Sequence, residues 1–178
     1  MIEFFCLTLL IGYMFIQAVA IDDAFLLTPD EKHFVQQHLQ SDIHQMLLRP
    51  HLNVRQKMVL QQVARRQKIK QKLPEHYANP DIFFPSQIAL EQSSSAQTAR
   101  YKGSLFSGDL LVDLTAGMGI DTFYVGQNFK RTIAIEKQEE LAAITAHNLA
   151  VKGLTNAEVV YRTDAEAFLS SFTSKADL

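Results

Sequence analysis

Asp109-Leu-Leu-Val-Asp-Leu-Thr-Ala-Gly-Met-Gly-Ile-Asp121 is the stretch whose reading decides the fold. An apolar run into Asp113, then Gly117-Met-Gly119, then a segment suited to a helix, predicts a buried parallel strand, a glycine turn and a helix. Gly117 and Gly119 permit backbone angles and close approaches that a Cβ would block, so a ligand can lie against the main chain there. About twenty residues on, Thr132 to Ile135 form a second apolar run ending in Glu136. A carboxylate at that place can accept hydrogen bonds from both hydroxyls of a ribose. The two segments together predict a nucleotide-type site at the carboxyl ends of neighbouring strands.

The kind of nucleotide follows from what the motif lacks. A dinucleotide fingerprint wants a third small residue, and here Ile120, Asp121 and Thr122 follow the two glycines. Asp113 and Asp121 place negative charge beside the turn, which repels a pyrophosphate and attracts a ligand carrying a sulfonium and an ammonium. That charge argument favours S-adenosylmethionine over NAD, FAD or ATP. No Gly-Lys-Ser/Thr sequence is present, which excludes a P-loop.

Downstream of Asp121 the elements alternate. A helix to about Gly126, a strand over 131–135, a helix over 138–151, turn residues Gly153 and Asn156, a strand over 158–161 and a short helix over 164–170 give βαβαβα. This order implies a parallel sheet with right-handed crossovers.

Upstream, Thr28-Pro-Asp-Glu31 is a helix start, with Thr28 as N-cap, Pro29 at the first position and Glu31 closing a capping box. An apolar stripe through Phe34, Val35, His38, Leu39, Ile43, Met46 and Leu47 predicts one helix to about Leu48. His33, His38 and His44 read as surface or interface residues. Asn53 caps a further helix over 54–73, and Pro74, Pro80 and Pro85 mark an irregular connection in which Phe83 and Phe84 plug the next unit. Ser86 caps a helix over 87–102, after which Gly103 and Gly108 lead into the first strand.

Between Arg55 and Lys72 stand seven basic residues and no acid: Arg55, Lys57, Arg65, Arg66, Lys68, Lys70 and Lys72. Such a segment can follow a nucleic-acid backbone, the alternative being a solvated face of a helical subdomain. The formal net charge of −2 neither demands nor forbids such a partner. Cys6 is the single cysteine, which excludes an internal disulfide and suits a reducing cytoplasm, and no metal-ligand spacing occurs. The apolar run Phe4 to Ile16 has Glu3 and no cation before it, and is shorter than the roughly 20 residues of a membrane span. It reads as a buried element or an extension from an upstream start, with a signal or anchor as the alternative.

Val112-Asp-Leu-Thr-Ala-Gly-Met-Gly-Ile-Asp121 resembles motif I of class I S-adenosylmethionine-dependent methyltransferases, and Glu136 matches the acid after their second strand. With Glu91-Gln-Ser-Ser-Ser95 and Ala99-Arg-Tyr-Lys102, the chain is similar to a bacterial group with a C-terminal THUMP-like domain, related to RNA guanine-N2 methyltransferases. The resemblance implies an α/β, Rossmann-like fold: a helical region over 1–84, then the N-terminal half of a methyltransferase domain over 85–178. It implies S-adenosylmethionine held by Asp113, Thr115, Ala116, Gly117, Gly119, Asp121, Glu136, Lys137, Asp164 and Ala165. Glu136 would take the ribose and Asp164 the adenine amine, with Gln92, Ser93 and Ser94 near the cofactor loop. The reaction implied is in-line methyl transfer to an amino nitrogen of an RNA base, DNA or protein being less favoured acceptors.

Structural alternatives stand beside these roles. Asp113 and Asp121 can cap the following turn and helix, Glu136 and Asp164 can be ordinary turn acids, and residues 91–94 can be plain helix surface. The fourth strand, which carries the catalytic residues of such enzymes, would begin at Lys175-Ala-Asp-Leu178. The sequence therefore predicts an incomplete site, a bare edge on the first strand and a tendency to self-associate. The rival readings are a non-catalytic RNA- or partner-binding module with a vestigial methyltransferase half, and a nucleotide-dependent oxidoreductase.

Overall fold

The computed structural model describes residues 25–161 and 163–178. The expectations for the apolar run Phe4 to Ile16 and for Cys6 lie outside the described residues. None of the described helices is long and apolar enough to cross a membrane.

Helix α1, Pro29–Gln37, starts as its sequence dictates. Thr28 Oγ1 accepts the Glu31 N–H, and the Glu31 carboxylate accepts the Thr28 N–H at 2.9 Å. The single helix expected to run to Leu48 is instead two. The chain turns after α1, and α2, Ile43–Leu47, begins afresh on Asp42, whose carboxylate accepts the His44 and Gln45 N–H groups. A local cap competes with helix continuation, and the Gln67 side-chain amide donates to the carbonyls of His38, Leu39 and Ser41 left in the turn. Helix α3, Val54–Ile69, opens on a reciprocal Asn53–Gln56 cap and stops short of the expected Leu73. Val59, Leu60 and Val63 of α3 pack with Val35, Ile43 and Phe83.

The segment after α3 is more ordered than its prolines suggest. Pro74 opens α4, Pro74–Ala78, and the following chain wraps around Arg66. That guanidinium is fully buried, lies 4.9 Å from the Phe84 ring centroid and donates to the carbonyls of His76, Tyr77, Asn79 and Ile82. Burial pulls its pKa down to about 10, which leaves it charged at neutral pH. Phe84 exchanges two backbone hydrogen bonds with the Gln62 amide, and Phe83 exchanges two with the Asn148 amide. Ile69, Leu73, Ile82 and Phe84 then join Ala116, Met118, Ile120 and Ala134 in one core, which runs without a break across residue 84.

Where one helix over 87–102 was expected, the structure has α5, Gln87–Gln92, and α6, Ala96–Leu105. Ser93 is extended, Ser95 caps α6 by accepting the Thr98 N–H, and the Ala96 N–H donates to the Lys72 carbonyl. The serine run offered the backbone side-chain partners in place of helical ones.

Then come β1, Gly108–Asp113; α7, Ile120–Gly126; β2, Phe129–Ile135; α8, Glu139–Val151; β3, Ala157–Val160; and α9, Ala165–Ser171. The three strands are parallel in the order β1-β2-β3, with Val112 opposite Ile133 and Ile133 opposite Glu158. This is the expected α/β arrangement, N-terminal helices followed by a Rossmann-like parallel sheet. The free edge of β1 is not bare, contrary to expectation. Asp177 N–H donates to the Leu110 carbonyl, Val112 N–H donates to the Leu178 carbonyl, and the Asp177 carboxylate accepts the Asp109 and Leu110 N–H groups. With these amides satisfied, the self-association argued from an open edge loses its basis.

Glu75 ties four helices together, accepting from Tyr124 Oη at 2.9 Å, Lys152 Nζ at 3.1 Å and Arg100. Beside it His76 is buried, and its Nδ1 has no hydrogen-bond partner among the described residues. Burial, reinforced by the Lys152 charge, pushes its pKa down to about 4 from 6.5.

Two outcomes follow from this packing. Arg66→Ala strands several buried carbonyls and should cost about 3 kcal/mol or more in urea unfolding, whereas Lys57→Ala and Lys68→Ala should stay within about 0.5 kcal/mol. Between about pH 6.5 and 4 the unfolded chain binds a proton at His76 that the folded chain refuses, so stability falls as pH falls through that window. Unfolding at pH 5 should require roughly 2 kcal/mol less than at pH 7, and His76→Gln should flatten that part of the profile.

Candidate functional site

The site is built where β1 runs out. Asp113 folds back under the turn, its Oδ1 accepting the Thr115 N–H at 3.1 Å and its Oδ2 accepting the Thr122 hydroxyl at 2.6 Å. The carboxylate thereby shapes the turn and fastens it to α7. Gly117 and Gly119 both have positive φ, +55° and +77°. They are glycines for different reasons. A Cβ on Gly119 would stand 2.8 Å from Thr145 Cγ2, because α8 packs tightly behind the turn and Thr145 Oγ1 donates to the Gly117 carbonyl at 2.6 Å. A Cβ on Gly117 would meet, within 4 Å and among the described residues beyond its two chain neighbours, the Thr115 carbonyl oxygen alone, at 3.9 Å, so the described structure leaves that side open.

Glu136 closes the site from β2. Its Oε2 accepts the Gly117 N–H at 3.1 Å and its Oε1 accepts the Gln138 N–H at 2.8 Å, while its own N–H donates to the Val160 carbonyl. Each carboxylate oxygen keeps acceptor capacity after one such bond, so holding the turn and receiving a ribose are compatible. Ala116 donates its N–H to the Ile135 carbonyl, which stitches the two strand ends together. Thr115 and Lys137 are exposed and Ala165 is half-buried at the start of α9. Asp164 caps α9, accepting the Ala167 N–H at 2.9 Å. Asp113 and Glu136 thus stand at the ends of the adjacent strands β1 and β2, and Asp164 at the start of α9, four residues after β3.

Asp121 differs from expectation. Its Oδ2 accepts Lys102 Nζ at 2.7 Å and Ser94 Oγ at 2.8 Å, and Lys102 also donates to Ser94 Oγ at 3.1 Å. The negative charge read beside the turn is therefore offset by one cation. Lys102 belongs to the segment 99–102 singled out in the sequence, but its pairing with Asp121 is not legible there, because it lies nineteen residues before its partner on another helix. Ser94 is brought to the residues after the glycine turn. Ser93 bonds the Leu90 carbonyl, and Gln92 is exposed.

The basic run does not form one face. Arg66 is inside the protein. Arg55 pairs with Glu31 and the Leu26 carbonyl, Arg65 donates to the Phe84 carbonyl, and Lys72 donates to the Leu90 and Glu91 carbonyls. Lys57 and Lys68 are exposed, as is Lys70, whose ammonium lies 5.6 Å from the Tyr77 ring centroid. Spacing in sequence could not separate the cations that face inward from those that face water. Among the described residues no group of three His, Cys, Asp or Glu side chains is placed to hold a metal ion.

No protein-family model matches the chain, and neither does any curated protein sequence. Among solved structures, the fold matches a candidate methyltransferase from Porphyromonas gingivalis W83, with a TM-score of 0.68 and 25% sequence identity. The match covers 85% of this chain and 38% of that one. The relationship is one of methyltransferase fold.

The two glycines give opposite expectations on substitution. Gly119→Ala combines left-handed strain with a clash against Thr145 and should cost roughly 2 to 4 kcal/mol in urea unfolding. Gly117→Ala meets no such neighbour and should cost about 1 kcal/mol, the strain alone.

Proposed function

We propose, from the premise of a methyltransferase fold, that the chain binds S-adenosylmethionine across the carboxyl ends of its strands and forms the cofactor-holding part of a methyltransferase. One observation carries this reading: the Glu136 carboxylate at the end of β2 is bonded to the Gly117 N–H of the turn after β1, beside the open side of that glycine. A nucleoside with a sulfur substituent needs both parts at once, an acid for its hydroxyls and a side-chain-free stretch for its tail.

The residues fit that ligand. Glu136 keeps lone pairs for ribose hydroxyls, Asp164 at the cap of α9 after β3 supplies an acceptor for an adenine amine, and Gly117 presents bare backbone. When bound, the cofactor supplies an electrophilic methyl group on a sulfonium. An acceptor nitrogen would form a bond to that carbon as the carbon–sulfur bond broke, with S-adenosylhomocysteine as the leaving group and the nitrogen's proton passing to solvent. This chain contributes placement of the donor, and alignment supplies much of the rate in such a displacement. For the acceptor we propose an amino nitrogen of RNA, on the resemblance of motif I and the Glu91 to Ser95 segment. Lys57, Lys68 and Lys70 are the cations of the basic helix left for its phosphates.

Calorimetric titration tests the cofactor. S-adenosylhomocysteine should bind and NAD should not, and Glu136→Ala should weaken binding by about one to two decades, the loss of charge-assisted hydrogen bonds worth roughly 1.5 to 3 kcal/mol. Binding of NAD without S-adenosylhomocysteine would overturn the reading in favour of an oxidoreductase, since the Lys102 ammonium is also a partner for a pyrophosphate.

A further inference from the structure

We propose that Lys102 is a specificity residue for the amino-acid end of the cofactor, receiving its carboxylate, and that Asp121 and Ser94 are positioning residues that hold the ammonium in place. This rests on the proposed function and deepens it.

Three segments converge at this point: the α5–α6 connection through Ser94, helix α6 through Lys102, and the first turn of α7 through Asp121. Beneath them Ala96, Ala99, Met118 and Ile120 share one buried core, so the cluster stands on rigid ground immediately after the glycine turn. A lysine ammonium has three donors. Two are spent on Asp121 Oδ2 and Ser94 Oγ, and the side chain remains 44% exposed, so the third donor is free for an acceptor from outside. A cation fixed by two bonds loses little freedom when it takes a third partner, which is how preorganisation favours binding.

The geometry also argues against a plain surface ion pair. Asp121 Oδ1 is buried and has no hydrogen-bond partner among the described residues. With one oxygen enclosed by the packing and the other holding Ser94 and Lys102, the Asp121 carboxylate is fixed in place more firmly than a fully solvated acid, and the ammonium it holds is fixed with it. The charge pattern fits an amino-acid end: Lys102 offers a cation for its carboxylate, while Asp113 beneath the turn keeps the surroundings favourable to its ammonium and the sulfonium. A nucleoside without an amino-acid end gains nothing from Lys102.

The test is titration calorimetry on the 178-residue chain with two ligands, S-adenosylhomocysteine and methylthioadenosine, the second having the adenosine and thioether without the amino-acid end. Lys102→Met should weaken S-adenosylhomocysteine by about ten- to a hundredfold, the loss of a charge-assisted hydrogen bond, and leave methylthioadenosine within about twofold. Lys102→Arg should restore most of the difference, and Ser94→Ala should show the same split on a smaller scale. Far-UV circular dichroism verifies the fold of each variant. An unchanged affinity for S-adenosylhomocysteine, or an equal fall for both ligands, overturns the proposal while leaving the cofactor reading intact. Failure of the unaltered chain to bind either ligand overturns the cofactor reading itself, and this proposal with it.

Discussion

The backbone of Phe83 and Phe84 is the point on which the structure turns. Both residues are buried, and buried backbone N–H and C=O groups must find partners. Among the described residues no strand lies beside them. Two side-chain amides serve instead, Gln62 from α3 and Asn148 from α8, each making the reciprocal pair of bonds that a neighbouring strand would make. The connection therefore clamps the N-terminal helices to the α/β unit through polar groups that have no alternative inside the core.

The clamp reaches the site through one helix. Asn148 and Thr145 lie one turn apart on the same face of α8. Asn148 holds Phe83, and Thr145 packs against Gly119 and bonds the Gly117 carbonyl. The position of the glycine turn thus depends on α8, and the position of α8 depends on the connection from the helices. Arg66 reinforces this from the other side, since four carbonyls of the same connection point at its guanidinium. Its contribution exceeds that of exposed pairs such as Lys130 with Asp109, whose attraction is screened by the surrounding water. The Glu75 junction is intermediate, because Tyr124 and Lys152 approach it from partly buried positions.

The places where the structure departs from the sequence pattern share a cause. The helices expected over 29–48 and 87–102 each break at a polar residue that caps a second helix, Asp42 and Ser95. Apolar periodicity continues through such a break, because both halves still face the same core. The cap is visible in sequence, yet whether it interrupts a helix depends on the groups that take the freed carbonyls, here Gln67 from α3. In the basic run, similarly, residue type set the charge and packing set its use. Arg65 and Arg66 are neighbours in sequence, and of the two it is Arg66 that lies wholly within the protein.

By itself the sequence determined the order of strands and helices after Asp109, the glycine turn, the acid at the end of β2 and the cap that starts α1. These follow from local chemistry: apolar runs, backbone freedom at glycine and short-range side-chain caps act within a few residues. Only the tertiary structure decided what those groups touch. It turned Asp113 inward as a brace for its own turn, gave Glu136 a backbone N–H of that turn to hold, and put Lys102 against Asp121. It also laid Asp177 and Leu178 along β1 and made Arg66 an interior cation. Apart from the Asp113 brace, which is local, each is a contact between segments separated in sequence, where satisfying a buried polar group or a charge depends on which segments the core brings together.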